Sequence, residues 1–450
     1  MAVHIASSGV RKGGFTRLRA RGEGLAGRAG WGLADQALSS LTNFALVIMA
    51  AHESTPRAFG LFALIFATFS IALGSCRAIC CEPLAVRYSN ESVLNWRTGA
   101  SMATGAAVVV GALIGVVCAL VGLVLGGQVR DLLVILGISL PGLLLQDAWR
   151  YSFFAAGSGI RAFFNDAVYA LLLLPAIIIS MTNGHLSLEV LLALWGGSAA
   201  VAAVVGIFQS GLLPRPSRCV SWWRRQSDLA PRYLAEFVSL TGEGQVMLYA
   251  IALVTSLSAV AAVRGGLLLL GPINIVGFGA ILAGVPEAVR LLERDPRKLI
   301  LASGVVSGAL VALTMLWAGL VLLIPTHIGV SAIGTVWYTA RPLVVPLALC
   351  LVALGVVMGA VISLRALAAA RRSMRARLLV SPVVLCSGLI GAALAGAPGA
   401  AWGLVVGNSF AAVVFWYHLV HAIPEHRALQ PVSKVGAAPM RIAGPAVQPS

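Results

Sequence analysis

Acidic residues are scarce in this chain: 16 Asp and Glu among 450 residues, against 32 Lys and Arg. Only 11% of residues are charged and 59% are hydrophobic, which excludes a soluble globule of this length. Lysine is nearly absent, with 3 against 29 Arg, and together with the excess of Ala and Gly this points to a GC-rich bacterial genome. No G-x-x-x-x-G-K-[ST] loop cradles a nucleotide, and neither H-E-x-x-H nor G-x-S-x-G occurs, so ATP hydrolysis and the common hydrolase chemistries are not expected. The first 30 residues are basic but lack an apolar core and a cleavage site, so they read as a cytoplasmic tail and not as a signal peptide. Of the 7 Cys, all but Cys219 fall in apolar stretches, and no disulfide framework follows. Cys76, Cys80 and Cys81 share a helical face, yet buried free cysteine usually packs, and no metal or cofactor is expected.

What the chain does have is apolar runs. Twelve stretches of spanning length lie at 31–50, 58–80, 99–125, 131–156, 162–182, 187–212, 233–257, 264–288, 299–325, 335–363, 377–396 and 400–423. The basic residues fall almost wholly in every second gap, from Arg11 to Arg28 before the first stretch to Arg427, Lys434 and Arg441 after the last. The alternate gaps carry only Arg57, Arg130, Arg264 and Arg341. By the positive-inside rule this is an all-α, multi-pass protein of the bacterial plasma membrane with both termini cytoplasmic, and the net charge of +16 meets anionic lipid headgroups. Nucleic acid is not an expected partner, because no soluble basic domain exists to hold it.

Six stretches precede residues 214–232 and six come after, so any repeat is parallel, about an axis along the membrane normal. The expected plan is a tail over 1–30, a lobe over 31–213, an interfacial linker over 214–232, a second lobe over 233–423 and a tail over 424–450. Short echoes support duplication. Glu82-Pro83-Leu84-Ala85-Val86-Arg87 and Pro286-Glu287-Ala288-Val289-Arg290 close the second and eighth stretches, and Ser40-Leu41-Thr42 is matched by Ser239-Leu240-Thr241. In the linker, Trp222 and Trp223 beside Arg224 and Arg225 read as aromatic anchors at the headgroups.

Ionisable residues inside spans are costly, about 2.5 to 3.5 kcal/mol each on insertion scales, so function is sought there first. Asp35, Ser39 and Asn43 form one stripe on the first span, and Glu236, Ser239 and Glu243 form its counterpart on the seventh. Each stripe reads either as the wall of a polar cavity or as interhelical glue. Arg77 snorkels, pairs with Glu82 or meets a phosphate; Arg264 lies near the outer mouth of the eighth span. Pro272 and Asn274 mark either a hinge lining a cavity or a packed kink. Phe59, Phe62, Phe66 and Phe69 repeat on one face, either as packing or as a groove for a polyprenyl tail. Asp147 and Arg150, three apart, make a local ion pair. Substrate contact is expected of Asp35, Ser39, Asn43, Arg77, Glu243, Arg264 and Asn274. Gating or cytoplasmic-side structural roles are expected of Glu82, Arg87, Asp147, Arg150, Asp166, Glu236, Glu287 and Arg290.

The run Asp35-Gln36-Ala37-Leu38-Ser39-Ser40-Leu41-Thr42-Asn43-Phe44, then Phe59-Gly60-Leu61-Phe62, Glu82-Pro83-Leu84, and the block Gln146-Asp147-x-x-Arg150-Tyr151-x-x-Phe154-Ala155-x-Gly157 resemble bacterial polysaccharide flippases of the O-antigen type. These belong to the multidrug, oligosaccharidyl-lipid and polysaccharide exporter superfamily, and the likeness is clearest over residues 31–170. It implies two six-helix lobes in a V, with helices 1, 2, 7 and 8 around a central cavity of alternating access, and no catalytic group. It also implies an isoprenoid diphosphate-linked glycan as substrate, with glycan-assembly enzymes as partners. Such relatives line the cavity with cations, whereas Asp35, Glu236 and Glu243 make the charges mixed here. An ion-coupled drug or metabolite antiporter of the same superfamily would share the lobes and use a buried carboxylate for coupling, whereas a membrane-embedded glycan polymerase or ligase, the less expected alternative, would need larger outside loops than these short gaps allow. Export of an anion is favoured by an inside-negative potential at about 2.3 kcal/mol per charge per 100 mV, and proton entry at Glu243 or Asp35 is the competing drive.

Overall fold

The computed structural model describes residues 25–89, 91–295 and 298–429. The tail cations Arg11 to Arg21, Lys434 and Arg441, and Arg297, lie outside the described residues. Among the described residues every element is helical and there is no strand. The first half comprises α1 (Leu25–His52), α2 (Pro56–Tyr88), α3 (Val93–Leu125), α4 (Gly127–Ala155), α5 (Gly159–Thr182) and α6 (Leu188–Ser210). Starts are set by chemistry: Thr55, Ser92 and Ser187 cap α2, α3 and α6 through their hydroxyls, and Pro56 occupies the first turn of α2, where no backbone donor is needed. The linker carries a short helix α7 (Cys219–Arg225).

The second half opens with α8, which runs through Ala230–Phe237, a π-helical turn Val238–Gly242 and Glu243–Val254. Then come α9 (Leu257–Leu269) and α10 (Gly271–Arg294), which together make one span broken at Leu270, two residues before Pro272. Next are α11 (Lys298–Leu323), the short α12 (Thr326–Ile333) and α13 (Val336–Ala366). The final stretch Ala370–Leu429 breaks at Ala395 and Gly396 into α14 and α15. Ten helices among the described residues are long and apolar enough to cross a membrane. The difference from the expected twelve is accounted for by two features: the last stretch is two spans folded at a kink, and the π turn divides α8 into short pieces.

Span 2 carries a π turn of its own, Arg77–Cys81. Such turns free backbone carbonyls, and this one is used: Trp222 of the linker donates from Nε1 to the Ile79 carbonyl at 3.2 Å. Trp222 is fully buried and stacks on Tyr88, so the expected headgroup anchor is instead a docking peg on the first half. The rings of α2 are likewise packing and not a lipid groove: Phe59, Phe62 and Phe69 are buried, and Phe66 stacks on Trp195.

Candidate functional site

Ionisable side chains from four helices meet inside the first half. Arg150 on α4 donates to Asp35 on α1 at 2.6 Å and to Asp147, one turn away, at 3.2 Å, and forms an ion pair with Asp166 on α5 at 3.1 Å. Arg77 on α2 grips the same Asp147 with two nitrogens, at 2.8 and 2.6 Å, and lies over the Tyr151 ring. Gln146 donates to Asp166 at 2.7 Å, and Asn165 bonds the Ala202 carbonyl and Gln209. Asp35, Asp147, Arg150 and Asp166 are all buried. The cluster holds three carboxylates against two guanidiniums, so as fully ionised it is one negative charge in excess, and Asp35 Oδ1 has no hydrogen-bond partner among the described residues.

This rearranges several expectations. The Asp147–Arg150 pair is present, but it is the longest of Arg150's shortest links to three carboxylates. Arg77, itself partly exposed, pairs with Asp147 and not with Glu82, because the Asp147 carboxylate is buried and an unpaired charge there is costly. The α1 stripe is not one polar wall: Asp35 faces the core, while the Asn43 amide bonds the Ser39 carbonyl of its own helix. On α8, Glu243 bonds Ser381 and lies near Arg377 of α14, inside the second half, whereas Glu236 is exposed near Glu82. The π turn between Glu236 and Glu243 is the reason. An extra residue in the turn rotates the downstream helix by about 100°, so two residues seven apart no longer share a face.

The halves touch along α2. An added Cβ at Gly60 would lie 1.9 Å from the Leu257 carbonyl oxygen of α9, so only glycine permits that approach. Farther along, Tyr249 of α8 bonds Thr68 and donates to the Leu64 carbonyl at 2.9 Å, and nearer the linker Gly74 sits against the Phe237 ring. At the end away from the linker, Thr335 donates to the Ser54 carbonyl and Gly334 abuts that of His52. α1 and α10 meet near Phe44 and Gly271. From there toward the linker end, α1 packs chiefly on α5, and α10 on α11 and α13. Each leaves apolar side chains uncovered, Leu33 and Leu41 on one and Ile275 and Val276 on the other; Asn274 is exposed among them. α10 is the span least covered by the rest of the protein.

Arg264 stands at this seam. It lies on α9, over the Phe66 ring of α2 with 5.3 Å from guanidinium carbon to centroid, and among the described residues it has no acidic or hydrogen-bonding partner. At the linker end, Arg87 binds Asp228 at 2.7 and 2.6 Å and Gln226 at 2.9 Å, holding linker to α2. Glu287 and Arg290 form an exposed pair at 3.1 Å. Sequence reasoning misses Asn165 and Gln209 and meets Gln146 only within a motif, although three neutral amides in apolar helices are a signal of the same kind as the charges.

A bundle of this make, all-helical with many apolar spans and a charged interior, defines a multi-pass membrane protein. No family model matches the sequence, and no curated protein matches it. Solved structures do. An inward-facing conformation of a multidrug resistance MATE family transporter of the MOP superfamily matches 88% of this chain and 99% of its own, with TM-score 0.62 and 14% identity. Its outward-facing counterpart scores 0.54 at the same identity, over 89% of this chain and 95% of its own. The lipid II flippase MurJ in an inward closed conformation scores 0.63 at 10% identity, over 88% and 87%. The chain has the all-helical fold of these transporters.

Proposed function

We propose that this protein moves a lipid-linked oligosaccharide or polysaccharide precursor, carried on an isoprenoid diphosphate, from the inner to the outer leaflet of a bacterial plasma membrane. Alternating access about the α2 seam supplies the motion, with the linker end and both tails in the cytoplasm. A diphosphate and a sugar chain cannot cross hydrocarbon unaided, whereas the carrier tail can stay in lipid. The uncovered apolar faces of α1 and α10 suit a tail that remains outside the protein.

Arg264 is the observation that carries this reading. Arg77 and Arg150 are neutralised by carboxylates of the first half, but Arg264, at the junction of the halves, is met only by a ring face among the described residues. A membrane-embedded cation without an anion calls for a ligand that brings one. Flipping of a fluorescent lipid-linked glycan in proteoliposomes tests it. Arg264→Gln should slow flipping by about tenfold or more, equivalent to about 1.4 kcal/mol, and Arg264→Lys should recover part of the loss. Equal rates for wild type and Arg264→Gln would defeat the assignment.

A second reading, an ion-coupled drug or metabolite antiporter, is favoured by the excess carboxylate of the buried cluster and the unpartnered Asp35 Oδ1. Efflux of small cationic dyes driven by a pH gradient, with no movement of the lipid-linked glycan, would select it.

A further inference from the structure

We infer that the linker end contains a binding site for the phosphate of an anionic phospholipid, and that this lipid competes with Asp228 for Arg87. A cavity of about 440 Å³ opens there, lined by Arg87, Tyr88, Glu91, Asn95, Thr98 and Arg225. Its one carboxylate, Glu91, is engaged by the Asn95 amide at 2.8 Å. The Arg225 guanidinium has no partner among the described residues, and Arg87 is held by Asp228, itself exposed to solvent. Two further donors of the linker, Trp223 Nε1 and Gln226 Nε2, are buried without acceptors among the described residues. Arg225 is therefore left without an anion beside a carboxylate-held Arg87, and a phosphate oxygen is the acceptor that two guanidiniums recognise best.

Its surroundings select a lipid over a free anion. Val86, Val93, Leu94 and Val220, close in sequence to the lining residues, are 63%, 61%, 74% and 51% exposed. A polar recess with exposed aliphatic side chains on the same helices fits an amphiphile, with its head between Arg87 and Arg225 and its chains along α3. Because Arg87 bonds both oxygens of Asp228 and the Gln226 side chain, a phosphate that draws Arg87 away loosens the linker joining the two halves. The site involves neither Arg264 nor the seam, so it is independent of the transported substrate.

Purified full-length protein, with no glycan present, is titrated with phosphatidylglycerol, phosphatidylcholine or inorganic phosphate, and bound lipid is counted by native mass spectrometry. Phosphatidylglycerol should be retained over phosphatidylcholine, and Arg225→Gln should weaken its retention about fivefold. Asp228→Asn, which frees Arg87, should strengthen retention, and Arg130→Gln at the opposite end should change nothing. Unaltered retention in Arg225→Gln, equal retention of the two lipids, or displacement of phosphatidylglycerol by millimolar phosphate would each overturn the site as a lipid site. The Arg225 side chain is exposed, so its replacement leaves the core intact and this variant decides the matter even if Asp228→Asn unfolds.

Discussion

In the first half of the chain, five ionisable side chains from α1, α2, α4 and α5 meet in one cluster. In the second half, among the described residues, the ionisable Glu243, near Arg377, and Arg264 are only partly buried, and the fully buried polar groups are neutral. Ser303 meets Ser363 at 2.5 Å, Ser307 donates to the Val356 carbonyl at 3.0 Å, and Asn408 bonds the Leu404 carbonyl and the Cys350 thiol. Charges in hydrocarbon require one another, so pulling α1 from α4 would strand Asp35 and Arg150, and the first half is bound to move as one body. Hydroxyl pairs impose no such rule, and the second half contains the helix breaks that a deformable unit needs, at Leu270 and at Ala395–Gly396. The two halves thus share a helical plan and differ in what binds their helices together.

The hardest test of this contrast is Arg150→Met. It leaves Asp35, Asp166 and part of Asp147 uncompensated in the core, and breaking a buried pair from one side costs about 3 to 5 kcal/mol. The variant should lose most of its monodisperse yield and its thermal midpoint should fall sharply. A midpoint near that of wild type would mean that the cluster takes up protons or water freely and does not brace the half.

Gly60→Ala addresses the boundary between the halves and should have a smaller effect. The new methyl group would overlap the Leu257 carbonyl, which is backbone and cannot swing aside, and overpacking of this kind costs about 1 to 3 kcal/mol. Since the contact joins two bodies, the strain is relieved by separating them at the end away from the linker. A cysteine pair introduced at Ser54 and Thr335 should cross-link readily in the parent and poorly in the Gly60→Ala background. Unchanged cross-linking would show that the seam gives elsewhere.

The share of this that is legible in the sequence is set by what a helical period can say. The apolar lengths locate the spans, Pro272 marks the break at Leu270, and the three-residue spacing of Asp147 and Arg150 gives their contact. Periodicity fixes which residues share a face; it does not fix which neighbour the face meets. Arg77 and Asp147 are 70 positions apart, and Asp35 and Arg150 115, so no local rule pairs them. The requirement that buried charges be compensated implies partners for all five, without naming them. Glu243 escapes for another reason: the π turn at Val238–Gly242 has no sequence signature, and it resets the face of everything beyond it. Trp222 misleads because an aromatic beside arginines looks the same whether it sits at headgroups or bonds the carbonyl of Ile79.

The finest comparison is a pair of double-mutant cycles, one in each half. In the second half, Ser303→Ala removes the partner of Ser363, whose hydroxyl is buried and meets no other side chain among the described residues, while Ser303's own bond to the Leu299 carbonyl at 2.8 Å is intrahelical. Interhelical hydroxyl bonds in membrane helices couple by about 0.6 kcal/mol on average, because the separated helices find other partners in the same segment. The double variant with Ser363→Ala should therefore be destabilised by nearly the sum of the two single changes. The matching cycle on Asp35→Asn and Arg150→Gln should depart from additivity by several times that amount, since each single change leaves a charge behind and the pair removes both. Equal coupling in the two cycles would erase the distinction between a braced half and a yielding one, and the proposed rigid motion of α1, α2, α4 and α5 would lose its physical basis.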